Sequence, residues 1–423
     1  MKNKIKKIIA EALTLRLRNK IADEKYKSRS KRKPNDFTRN RKMPFDKVIL
    51  FMLTSLKCST NSSLRRFFKI LGESEPIKQQ SFSEARAKIK PEAISELFTL
   101  TIPDMVDGCD SKWHGYRVCA VDGSKIALPK DQCLHNYFGA LGENKSSPTA
   151  QSSILYDVLN DIILDAHIMP LACDERTLAS WHINSLMNIE PHGKKLLLFD
   201  RGYPSFDLID KLEQEGYHYV MRVKRKFNLD IDAQTDSDGY VTLIQGDESI
   251  HVRVIKFELD NGETETLITN ISDKRLGVNA FKKLYFMRWP IETKYSIIKN
   301  KLALESFSSR TVDGVIQDFY ATMFLANMAC AFAHDAQIEV DNSRANKNNK
   351  YEYRVNINEA IGILKDEFIL AVSFDIHSKD SGDCVQHIVE TLANYVRPVR
   401  SSRSNPRKPP RSSRFHHNQK LNC

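Results

Sequence analysis

The sequence predicts an α/β protein: a mixed sheet layered with helices, preceded by a helical segment and followed by further helices. Three observations predict it. Apolar residues recur at helical spacing up to about residue 105, and the period turns extended from about 116. Three strand patterns then lead into helix, strand, helix and strand, which is the order of an α/β layer. With 423 residues, 41% apolar and 28% charged, the chain can bury two or three cores.

The first region, 1–105, reads as basic and helical. Residues 2–20 suit a Lys/Arg-rich amphipathic helix and 26–44 a basic, Pro-containing linker. Helices are expected at 45–57, 62–72 and 80–100, with Thr60, Asn61 and Ser62 as N-caps of the second. Short helices in a basic setting suit either a helix-turn-helix DNA reader or an ordinary bundle. A second region, 106–335, carries the sheet. Residues 117–129 (RVCAVDGSKIALP) form an apolar strand interrupted by Asp122, and a loop runs on to 150. A hairpin around Asn160–Asp161 spans 152–169. The helix at 175–188 should show a polar face with Glu175, Arg176 and His182, with a segment flanking a site as the alternative. Residues 194–204 (KKLLLFDRGYP) form a second apolar strand ending in Asp200, before a helix at 205–216 and a strand at 217–226.

Residues 227–275 interrupt this layer with a β-rich insertion. Its strands, 241–244, 251–259 and 264–271, are separated by the turn signals Ser237–Asp238–Gly239 and Asp260–Asn261–Gly262. Helices return at 278–303 and 313–335. Residues 336–396 make a C-terminal helical region after a polar loop at 340–350. The tail, 397–423, is Ser/Pro/Arg-rich and expected to be disordered.

The charge is unevenly placed. The net charge is +11, but residues 1–50 carry +12 and residues 391–423 carry +8, so the body between them is −9. Basic ends on an acidic body point to a polyanion partner, nucleic acid first. The most apolar stretch, 319–333, is shorter than the ~20 residues a spanning helix needs and contains Asn327, so it reads as a buried core helix. No signal-peptide pattern opens the chain. The eight cysteines are scattered, with no CxxC pair, which suits reduced thiols in a cytosolic protein and not a structural zinc site.

Two carboxylates stand in apolar strands. Asp122 lies inside one and Asp200 closes the other, where propensity and burial both disfavour a charge. Each is either a structural partner of Arg or Lys, or one of a pair sharing one or two divalent metals through hard oxygen ligands. A third element is 282–302. Tyr285, Arg288, Glu292 and Lys299 follow at intervals of three, four and seven, within about 60° of a helix surface. Pro290 either kinks that helix or begins a new one, and a solvated face with a Glu–Lys pair is the plain alternative.

Tyr285-x2-Arg288-x3-Glu292-x6-Lys299 resembles the YREK signature of DDE transposases of bacterial insertion sequences, in the group of insertion sequence 4. RWPIE (288–292) resembles the same group, VDGSKIALP (121–129) its first aspartate motif and DRGY (200–203) its second. QSFSEARAKI is similar to the stretch preceding the catalytic domain there. The order Asp, Asp, Glu agrees, with gaps of 78 and 92 residues, and the resemblance covers about 45–335.

The resemblance implies a ribonuclease-H-like fold in which Asp122, Asp200 and Glu292 hold two Mg²⁺ ions, with Mn²⁺ able to substitute. It also implies cut-and-paste transposition: hydrolysis at an element end, then transesterification by the exposed 3′ hydroxyl. Tyr285, Arg288 and Lys299 would contact phosphates near the cleaved end, and Arg201 would steady Asp200 or a phosphate. Trp289 is expected in the core, with base stacking as the alternative. The implied partners are double-stranded DNA, at terminal inverted repeats and target, and a second copy in a synaptic homodimer. The implied place is the nucleoid of a bacterial cytoplasm. Two other functions compete: a ribonuclease-H-like nuclease that cuts without joining, and a domesticated DNA-binding protein.

Overall fold

The computed structural model describes residues 9–39, 41–54, 59–142, 146–189, 193–260, 262–345, 347, 349–373 and 378–399. The chain divides into two compact units. One comprises Met1–Gly108, Ile126–Thr149 and Ile297–Cys423, and the other Cys109–Lys125 and Ala150–Ser296. Helices expected in two separate regions, 1–105 and 336–396, thus share one unit.

Seven helices come first: α1 (Ile9–Ala22), α2 (Glu24–Ser30), α3 (Phe45–Thr54), α4 (Thr60–Ile70), α5 (Gln79–Arg86), α6 (Pro91–Leu100) and α7 (Ile102–Gly108). The expected linker at 26–44 contains α2, because Asp23 caps it and the buried Tyr26 donates its hydroxyl to Ala93 O at 2.8 Å. The helix expected at 80–100 breaks before Pro91, which sits in the first turn of α6 where its missing N–H costs nothing. The cap of α4 is Ser59, whose hydroxyl accepts from Ser62 N, one residue before the expected caps.

The middle of the chain holds β1 (Arg117–Ala127), α8 (Gln132–Phe138), β2 (Ala140–Leu141), β3 (Ser147–Asp157), β4 (Ile162–Pro170), α9 (Glu175–Ile189), β5 (Lys195–Phe199), α10 (Phe206–Gln214) and β6 (His218–Arg222). The expected loop before 150 contains α8, capped by Asp131. Then come α11 (Leu229–Ala233), β7 (Asp238–Gln245), β8 (Glu248–Glu258), β9 (Thr264–Thr269), α12 (Val278–Phe286) and α13 (Pro290–Asn300). Pro290 begins a new helix, so the expected helix at 278–303 is two. The chain closes with α14 (Val312–Arg344), β10 (Tyr353–Val355), α15 (Ile357–Val372), α16 (Ser378–Asn394) and β11 (Val396–Pro398). Residues expected as a loop from 340 continue α14 to Arg344. The antiparallel pair β10–β11 lies in the region expected to be helical and takes up the start of the expected tail. Residues 2–8 of the first expected helix and 400–423 of the tail lie outside the described residues.

In the helical unit α14 is the central element and packs against α1, α3, α6, α15 and α16. It is long and apolar enough to cross a membrane, yet 78% of its most apolar window is buried within the unit. Its polar interruptions are satisfied there: Asn327 donates to Thr101 Oγ1 at 3.1 Å, and Asp335 accepts from Ala10 N at 2.7 Å. It is a core helix, as its polar breaks suggested. Of the described cysteines, Cys109, Cys119 and Cys330 are buried and Cys133 is exposed, and none of these four is in a disulfide.

The sheet runs β2-β3-β1-β5-β6-β9-β8-β7, with β4 paired to β3. Strands β1, β5 and β6 are parallel neighbours, whereas β3–β4, β6–β9, β9–β8 and β8–β7 are antiparallel. The sheet is therefore mixed. The strands of the expected insertion do not stand apart: β9 pairs with β6 and extends the same sheet. The expected turn at 237–239 instead opens β7, and the reversal falls at Gly246, whose φ of +61° suits glycine. In this unit α9 packs on β4, α10 on β6 and α12 on β8.

Candidate active site

The parallel register of β1 and β5 brings the two expected aspartates together. Ala120 pairs with Leu198, and Asp122 and Asp200 each lie two residues further on. They therefore project on the same face from strands about 4.8 Å apart. Both stand where their strand leaves the core. Val118–Val121 are fully buried and Asp122 is the first partly exposed position of β1, while Asp200 directly follows the wholly buried β5.

Their environments differ. Burial pushes the Asp122 carboxyl up to about 6, assisted by the charges of Asp200 and Glu175 and opposed by Arg288 and the Gly123 N–H. Burial acts on Asp200 in the same direction. There it is outweighed by the Arg201 backbone N–H, the Arg288 charge, the Tyr285 hydroxyl at 3.1 Å and Arg222, so Asp200 lies below the usual carboxylate range. A carboxyl pushed up beside one pushed down is a recurring feature of functional sites.

The remaining signature residues come from the α12–α13 corner. Tyr285 lies in the last turn of α12, Arg288 lies in the turn closed by Arg288 N–H to Tyr285 O at 3.0 Å, and Glu292 sits in the first turn of α13. Arg288 is only 6% exposed, donates to Glu292 Oε1 at 2.9 Å and attracts both aspartates. Tyr295, also on α13, donates its hydroxyl to Asp122 O at 3.0 Å. The structure thus gathers Asp122, Asp200, Tyr285, Arg288 and Glu292. Arg201 meets Asp200 through its backbone N–H, and its side chain is exposed. Lys299 falls in the helical unit, where its Nζ is 3.8 Å from Glu305.

Two expectations around the site are corrected. Trp289 is not core but 47% exposed, because the break before Pro290 turns it outward. His182 is not on a polar face but fully buried: its Nδ1 is 2.9 Å from Asp165 Oδ2 and its Nε2 2.9 Å from Ser153 Oγ. Ser153 Oγ in turn donates to Asp122 O at 3.3 Å, so this buried chain braces the aspartate strand from behind. His167 joins it, and the ligating atoms of Asp165, His167 and His182 lie within 4.8 Å of one another. Arg176 donates to Pro204 O at 3.2 Å.

For Glu175 the sequence favours the polar-face reading over the site-flanking one. In the structure its Oε1 lies 2.8 Å from where a Cβ on Gly123 would stand, and its Oε2 3.8 Å from the same position on Gly202. The legible signal was a glycine close behind each aspartate, at 123 and 202. The donor set suits hard divalent cations. Burial and the like charges of Asp200 and Glu175 disfavour the ionised Asp122, and a cation offsets both.

The charge of the N-terminal region is partly used internally. Arg16, Arg29, Arg32, Lys42 and Lys47 pair with Asp104, Glu96, Asp313, Glu75 and Glu73.

No curated protein matches the chain. Among solved structures, a piggyBac transposase synaptic complex with hairpin DNA, determined by cryo-EM, is similar at a TM-score of 0.49 and 10% identity, over 90% of this chain and 86% of that one. The family model described as "Transposase DDE domain" matches residues 113–328, which contain both aspartate strands and the α12–α13 corner. That match spans just over half of the 423 residues, and the chain belongs to the transposase DDE domain family.

Proposed function

We propose that this transposase acts by cutting DNA at the ends of its element and joining the freed 3′ ends to target DNA, with Asp122, Asp200 and Glu292 as the catalytic carboxylates. The observation that carries the reading is the shared register of Asp122 and Asp200 on neighbouring parallel strands, tied to Glu292 through Arg288. The sheet order β4-β3-β1-β5-β6 favours a ribonuclease-H-like core. The Tyr285–Arg288–Glu292–Lys299 spacing favours the insertion sequence 4 group, and with it a bacterial, nucleoid-associated enzyme.

Asp122, Asp200 and Glu292 would hold two Mg²⁺ or Mn²⁺ ions, which when bound neutralise charge on a phosphodiester and polarise it for in-line displacement. The protein's own groups orient this site. Tyr285 fixes one Asp200 oxygen by its hydrogen bond, and Arg288 holds Glu292 in place while balancing the aspartates. Tyr295 and Ser153 pin the Asp122 carbonyl, so the carboxylate leaves the strand in one direction. Arg288 and Tyr285 are assigned to phosphates near the cleaved end. Lys299, in the helical unit, is assigned to DNA phosphate as well, and a cavity of about 480 Å³ in that unit, lined by Arg39, Arg41, Lys42 and Lys88, is a further proposed grip on DNA. Joining two ends requires their pairing, so the active form is a homodimer on terminal inverted repeats.

The test uses purified protein and labelled DNA carrying the gene's flanking ends, with Mg²⁺ or with EDTA. Cation-dependent cutting at the element boundary followed by joined products is the expected result. Cutting without joining would leave a nuclease, and shifted but uncut DNA a binding relic.

A further inference from the structure

We propose that Glu175 is a fourth cation-holding carboxylate, placed between the strand ends that carry Asp122 and Asp200; this rests on the cation-dependent reading of the same site. Glu175 is the first residue of α9, and its two oxygens face Gly123 and Gly202, the glycines behind the two aspartates. A Cβ at 123 would stand 2.8 Å from Oε1 and 2.9 Å from Gln151 Nε2, so glycine there keeps the approach of this carboxylate open. Gln151 Nε2 donates to Oε1 only at 3.4 Å, and among the described residues no Lys or Arg pairs with Glu175. Glu175 therefore adds a carboxylate beside the backbone of residue 123, next in sequence to Asp122, and its oxygen meets no closer donor there than Gln151.

A second buried group is under the influence of the same carboxylates. Tyr203 is 2% exposed and its hydroxyl has no hydrogen-bond partner, although buried hydroxyls are nearly always satisfied. The groups that act on this hydroxyl are Asp122, Glu175, Tyr295 and Asp200. Oxygen ligands gathered on a hydrated cation between these three carboxylates give the Tyr203 O–H an acceptor. Glu292, in contrast, is engaged by Arg288 at 2.9 Å. Glu175 thus offers a carboxylate without an ion-pair partner among the described residues, whereas Glu292 is held by Arg288.

The test is Mn²⁺ binding to the full chain, read by electron paramagnetic resonance without DNA, with folding checked by circular dichroism. Parent protein is compared with Asp122→Asn, Asp200→Asn, Glu175→Gln and Glu175→Asp. Glu175→Gln should weaken binding by about tenfold or more. Glu175→Asp, which keeps the charge but is one methylene short, should stay weaker than the parent. Parent-like affinity in either Glu175 variant, with both aspartate variants weakened, would overturn the role of Glu175 and leave the site itself standing. Parent-like affinity in both aspartate variants would remove the cation site, and this proposal with it. If Glu175→Gln does not fold, the affinity of Glu175→Asp decides.

Discussion

Asp122→Asn should make the cation-free protein more stable at neutral pH while removing its chemistry. The gap between about 6 in the folded chain and the ordinary 3.8 corresponds to about 3 kcal/mol, at ~1.4 kcal/mol per tenfold change in proton affinity. Its sign follows from proton counting. Between about pH 4 and 6 the folded state holds the Asp122 proton and the unfolded state has lost it, so stability falls as pH rises through that window and is flat above it. Asn has nearly the same shape, never ionises, and can donate to the neighbouring carboxylates. In EDTA at pH 7.5 the variant should therefore be more stable by up to about 3 kcal/mol, and the difference should vanish near pH 4. Asp200 is the internal contrast. Its carboxyl is held below the usual range, so its contribution is present at neutral pH and lost on acidification, and Asp200→Asn should destabilise at pH 7.5. Amide hydrogen exchange of 118–121 in β1 reports this unit specifically, alongside urea unfolding across pH 4–8. A less stable Asp122→Asn at pH 7.5, or a difference unchanged at pH 4, would mean the fold already satisfies that charge and the argument for a cation there fails.

Asp122→Asn, Asp200→Asn and Glu292→Gln should each abolish end cleavage in Mg²⁺ while still shifting DNA in a gel; cleavage in any one of them would break the triad. Asp157→Ala should cost about 3 kcal/mol, because it removes the carboxylate 2.5 Å from the Arg117 guanidinium, 1% exposed, whose other carboxylate neighbour, Asp110, is 3.7 Å away. Thermal unfolding reads this, and a change under about 1 kcal/mol would show that Asp110 replaces Asp157 as its partner. Trp289→Ala should alter stability by less than about 1 kcal/mol, given its exposure. A loss of several kcal/mol in the same assay would return Trp289 to the core.

Local pattern was enough for much of this protein. Apolar strands carrying Asp122 inside one and Asp200 at the end of the other marked two charges in the sheet, and the residue spacing of 285–299 marked Glu292 as a third candidate. Those signals are short-range: period, propensity and a few side chains at fixed intervals. What they could not contain was pairing. That β1 and β5 are parallel neighbours aligned at Ala120 and Leu198, so that the aspartates meet, depends on which strand each finds across 78 residues of chain. The pairing of β9 with β6, which turns an apparent insertion into part of the main sheet, is of the same kind. Pro290 left two outcomes open, and the packing of α12 and α13 decided for a break, which exposed Trp289 and buried Arg288. Glu175 and His182 were misplaced because a polar residue on an amphipathic helix looks the same whether it faces water or a charged site. Burial is a sum over elements distant in sequence, and only the folded chain brings those elements together.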